Sequence, residues 1–138
     1  MPTRRLLLAT LLTAATAPGV AAEDWPMWRG PGQNGISADK RLPLNWSATE
    51  NVAWKLPMPT VSGSTPIVSG NTVFLSVAES ANEGAPLALW AVDRAAGTVR
   101  WKQPMGAGNH KVRKGDMTSP SPVTDGKMVW LLTGTGVV

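Results

Sequence analysis

Cysteine is absent from all 138 residues, which excludes a disulfide framework, a thiolate metal site and a lipidated cysteine behind a leader. Tyrosine is absent too, phenylalanine occurs once and histidine once. The single histidine, His110, has no companion base, nucleophile or second metal ligand nearby in sequence. Helix signals are nearly missing, because 12 prolines and 14 glycines interrupt every window long enough to carry one. No Lys-Ser or Lys-Thr pair follows the glycines of RGPGQNG, so a phosphate-binding loop is excluded. What the chain does have is tryptophan. Seven indoles replace the usual packing aromatics, and each brings an N–H that needs a partner when buried.

Residues 1–22 read as an export leader: Arg4 and Arg5 precede the apolar run from Leu6 to Ala17, and Val20, Ala21 and Ala22 supply small residues for cleavage. That run is too short to span a bilayer. The arginine pair leaves two routes open, an ordinary Sec signal and a twin-arginine signal, and both put the protein in the periplasm or outside the cell. Loss of the leader removes two arginines and no acid, lowering the formal net charge from +4 to +2. A field that weak does not point to nucleic acid. No transmembrane segment is expected after the leader.

The mature chain divides into a Trp- and Gly-rich lead-in, residues 23–50, and a β-rich region, residues 51–138. A short strand is expected at Asn51–Lys55. Thr65–Val68 leads through Ser69, Gly70 and Asn71 into Thr72–Ala78, where Val73, Leu75 and Val77 alternate with Thr72, Phe74 and Ser76. Third and fourth strands follow at Leu87–Asp93 and Val99–Gln103, making one antiparallel sheet, and a second strand pair lies within Ser119–Thr133.

The pattern repeats. GSTPIVSGNTVFLS from Gly63 aligns with SPSPVTDGKMVWLL from Ser119, so that Pro66, Gly70 and Val73 match Pro122, Gly126 and Val129 at a spacing of 56. Trp54-Lys55 and Trp101-Lys102 are 47 apart, and the difference of nine locates extra residues in the loop from Pro104 to Met117. A four-stranded unit of roughly 45 to 55 residues falls in the range of propeller blades. One twisted sheet cannot hide both faces, so such units stack.

AVDRAAGTVRW, Ala91 to Trp101, suits stacking. Ala91 permits close approach, Asp93 accepts from turn amides, Gly97 takes positive φ and Trp101 offers a flat ring to an adjoining sheet, where it is expected to be buried. These residues resemble the PQQ-like β-propeller repeats, whose docking motif is AxDxxTGxxxW; Ala91, Asp93, Gly97 and Trp101 match, and Ala96 stands in the threonine position. DWPMWRGPGQNGIS, Asp24 to Ser37, is similar to the opening of exported bacterial members. The resemblance implies an all-β propeller portion: one four-stranded blade and the first strands of a second behind an irregular lead-in, with further blades beyond Val138 as partners. It also implies that the early strand carrying Trp54 completes the last blade, so that this strand's partner is absent.

Two functions follow from the resemblance. The first is a non-catalytic binding or assembly scaffold in the cell envelope with a protein partner, similar to the propellers that assist outer-membrane protein assembly, and with no cofactor in this chain. The second is the N-terminal part of a periplasmic quinoprotein dehydrogenase holding PQQ and calcium. Within the chain no catalytic or metal-ligating residue is assigned. His110, Lys111, Arg113 and Lys114 form a candidate partner-binding loop, weighed against a plain solvated insertion. Trp25, Trp28 and Arg29 offer either an aromatic platform for a sugar or cation, or a cap over blade edges.

Overall fold

The structure, a computed structural model, describes residues 23–138; the leader assigned to residues 1–22 lies outside them. Alternating β-formers between turn residues produce a four-stranded antiparallel sheet in the order β1-β2-β3-β4. Its strands are β1 (Ile67–Ser69), β2 (Thr72–Ala78), β3 (Leu87–Asp93) and β4 (Val99–Pro104). Gly70 and Asn71 close the first hairpin with Ser69 opposite Thr72. Gly70 has φ 54°, the positive value that a type II′ turn needs at its first central residue.

Pairing then sorts the side chains onto two faces. Val73, Leu75 and Val77 stand opposite Val92, Trp90 and Ala88. On this first face Leu56, from the segment after the lead-in, packs against Val77, Ala88 and Trp90. On the second face Ala78 and Leu87 pack against Met117, with Met105 beside them. Between Ala91 and Val92 the register to β4 shifts, since Ala91 faces Trp101 while Val92 faces Val99. Arg100 is therefore the extra residue of a bulge, a place where a strand re-aims a side chain.

Past β4, the loop that holds the extra residues is more ordered than a plain insertion. It folds into a miniature hairpin, β5 (Lys111–Val112) with β6 (Gly115–Asp116). A second hairpin follows, β7 (Val123–Thr124) with β8 (Val129–Trp130). Its register repeats the first: Val68 opposite Val73 becomes Thr124 opposite Val129, and Ile67 opposite Phe74 becomes Val123 opposite Trp130. Every position moves by 56, and the turn glycine keeps positive φ, 88° at Gly126. The sequence repeat is thus a structural repeat.

The strand expected at Asn51–Lys55 does not form; this segment carries no ladder among the described residues. Its Trp54 side chain reaches the turn between β3 and β4, and Leu56 just beyond it packs on the first sheet face. The lead-in is irregular but tied down. Trp25 exchanges two backbone hydrogen bonds with Val68, at 2.9 and 2.8 Å. The Pro26 carbonyl accepts the Thr124 N–H at 3.0 Å, and the Asp24 carboxylate accepts the Gly70 N–H at 2.9 Å. One short segment thereby joins the first hairpin to the second. No helix of the described residues is long and apolar enough to cross a membrane.

Candidate functional site

The turn after β3 is a socket. Asp93 caps it, its Oδ1 accepting the Ala95 and Ala96 N–H groups at 2.9 and 2.8 Å. The bulged Arg100 reaches back with Nη2 to Asp93 Oδ2 at 2.6 Å. The Ala96 amide, the Arg100 side chain and the Ala95 amide all hold the Asp93 carboxyl below the usual carboxylate range. Gly97 closes the turn with φ 69°, where an L side chain is strained.

Trp54 fills this socket. Its ring lies flat on Gly97, so close that any Cβ there would collide with the indole. Its Nε1–H donates to the Arg94 carbonyl at 2.8 Å. One expectation is corrected here: Trp101 is not buried but remains 46% exposed, with its ring centre 5.9 Å from that of Phe74. The backbone around Trp54 has no pairing partner among the described residues, while its ring is seated within the chain. The physical reason is where each ring stands relative to the sheet. Trp54 precedes the sheet whose turn it plugs, whereas Trp101 emerges from that sheet's own last strand and faces outward from it. Ala91 is fully buried beneath the strand pairing, opposite both Phe74 and Trp101. An open cleft of about 420 Å³ separates Phe74, Leu89, Trp101 and Gln103 of the sheet from Lys127, Met128 and Val129 of the second hairpin.

Near the start of the two hairpins, equivalent residues meet each other. Ser62 Oγ and Thr118 Oγ1 are hydrogen-bonded at 2.8 Å, and the Thr65 N–H donates to Ser121 Oγ at 2.9 Å. Each pair is 56 apart in sequence. Thr118 Oγ1 gives its one proton to Asp116 Oδ1 at 2.5 Å, so it accepts from Ser62, and the end of β6 is tied into the same network. Sequence reasoning missed these contacts, although the 56-residue offset was the signal that would have found them.

The four residues of the candidate partner-binding loop lie on or beside the small hairpin: His110 just before it, Lys111 in β5, and Arg113 and Lys114 in its turn, all exposed. No carboxylate among the described residues pairs with them. Trp25 and Trp28 part company. Trp25 turns its ring over Gly30, where an added Cβ would come within 2.7 Å of it, while Trp28 stays 66% exposed.

A PQQ–calcium centre needs several oxygens converging on a hard cation. Five of the carboxylates are dispersed and engaged elsewhere: Asp93 and Asp125 on turn amides, Glu79 on the Trp90 indole and Lys102, Asp24 on Gly70 and Arg94, Asp116 on Thr118. Among the described residues no three His, Cys, Asp or Glu side chains gather as a metal site would require. These residues do not fit that group. No family model, curated protein or solved structure matches the chain.

Proposed function

We propose that the chain acts, after export to the periplasm or beyond, as a non-catalytic docking scaffold of PQQ-like propeller repeats. Its partners are further sheets of the same kind and an envelope protein held against the stack. The observation that carries this reading is the seated Trp54. An indole from outside the sheet is held by a stack on Gly97 and a hydrogen bond to the Arg94 carbonyl, and the related Trp101-Lys102 pair is presented on the opposite side with its ring half-exposed. One end of the unit is a filled socket and the other a free plug. Further support comes from the 56-residue register and from equivalent residues meeting across it. A dry socket contributes through ring burial, at roughly 25 cal/mol per Å² of apolar surface, and through one satisfied indole N–H.

The test is photo-crosslinking of the full-length protein in its own cell envelope, with a benzophenone amino acid at position 101 or, as control, at position 113. Crosslinks from position 101 to a Gly-containing strand turn support the scaffold. Crosslinks absent at 101, or dye reduction that depends on added PQQ and Ca²⁺, would replace it.

A further inference from the structure

Beside the meeting point of the two hairpins lies an open cavity of about 470 Å³, lined by Trp28, Gly63, Thr65, Ser119 and Ser121. Its size falls within the roughly 300 to 1,000 Å³ of small-molecule pockets. The docking function makes no use of it.

Its chemistry is specific. Not one of the five lining residues is ionisable, so no charged side chain in the wall neutralises an anion. Ser121 Oγ accepts the Thr65 N–H at 2.9 Å and Ser119 Oγ accepts the Asp116 N–H at 3.1 Å. With an acceptor site of each oxygen occupied by an amide, both O–H groups remain free to donate. Gly63 leaves room for this arrangement: a Cβ there would lie 3.0 Å from Ser119 Oγ. The fourth wall is an indole, 66% exposed, on a short turn held by Gly30 N–H to the Met27 carbonyl at 2.9 Å and Gly35 N–H to the Arg29 carbonyl at 2.9 Å. Trp28's own carbonyl accepts the Trp25 indole N–H at 3.4 Å. The platform is thus anchored from both sides while its face stays open.

From an aromatic face, fixed hydroxyl donors and an uncharged wall, we infer that the cavity binds a neutral saccharide, one pyranose ring stacking on Trp28 while its oxygens accept from Ser119 and Ser121. An aromatic ring takes the apolar C–H face of a sugar, and oriented hydroxyls select its oxygens. A bare anion would find no positive charge there. This site stands independently of the docking scaffold, since it uses neither Trp54, Gly97 nor Trp101.

The experiment titrates the full mature protein with D-glucose, N-acetylglucosamine and maltose, following the tryptophan indole N–H resonances by NMR, with glucuronic acid as the charged comparison. The expected result is a saturable shift of the Trp28 resonance with at least one neutral sugar, and weaker binding of glucuronic acid. Trp28→Ala is expected to weaken binding about tenfold or more, and Ser121→Ala to weaken it less, with the melting temperature of Trp28→Ala unchanged because the ring is exposed. Trp28→Phe restores part of the affinity. No saturable shift with any of the three sugars, tighter binding of the acid, or full affinity in Trp28→Ala would each overturn the proposal.

Discussion

Trp54 and Trp101 sit in matching dipeptides yet carry opposite energetic weight. Removing the Trp54 ring uncovers Gly97 and the apolar contacts around it and leaves the Arg94 carbonyl without its donor. Trp54→Ala is therefore expected to cost about 2 to 4 kcal/mol, below the full cost of a completely buried tryptophan because the ring is partly exposed. Trp101→Ala, at a ring already 46% exposed, is expected to cost about 1 kcal/mol or less. Chemical denaturation of the two variants checks this ranking, and the reverse order would remove Trp54 from the socket. Asp93 adds a pH dependence of definite sign. Its carboxyl is held below its ordinary value of 3.8 by turn amides and Arg100, so the unfolded chain binds its proton first as pH falls. Stability from this group is fully present above about pH 4 and is lost on further acidification through its lowered folded value. Asp93→Asn should flatten the acid limb of a melting temperature against pH curve; an unchanged limb would contradict the cap. Of these roles, the cap and the glycine turn were legible in AVDRAAG. Which tryptophan fills the turn was not, because spacing along a chain does not say which sheet a ring faces.

At the scale of elements, period-2 alternation placed β2 within its observed bounds, and β3 was found as an apolar run between a polar loop and a turn. The segment at Asn51–Lys55 has the same local composition but no neighbouring edge, and backbone pairing depends on that neighbour. The small hairpin β5–β6 escaped sequence reading for a related reason: two-residue strands carry no periodicity to detect. Protection should follow the ladders. Amide hydrogen exchange is expected to be slowest in β2 and β3, which pair along seven positions, and fast in β5–β6 and in residues 40–51, where no ladder forms. Equal protection of β2 and β7 would contradict the view that the four-stranded sheet is the most stable unit.

For the whole molecule, the sheet is the middle layer of three. Leu56 and Trp54 cover one face and turn, and Met117 and the second hairpin approach the other across a cleft that is still open. The lead-in clamps both hairpins through Trp25 and Pro26, which fixes one against the other. The repeated hairpin register was legible from the 56-residue offset, whereas the convergence of Ser62 with Thr118 and Thr65 with Ser121 emerges only in three dimensions. The account therefore turns on one asymmetry, an indole seated in its turn at one side of the sheet and an open one at the other. Residue-resolved solvent exchange of the tryptophan Nε1 protons measures it directly. The Trp54 proton, hydrogen-bonded to the Arg94 carbonyl, is expected to exchange slowly and to show a nuclear Overhauser contact to the Gly97 α-protons, while the Trp101 proton exchanges rapidly. A Trp54 proton exchanging as fast as that of Trp101, with no contact to Gly97, would contradict it.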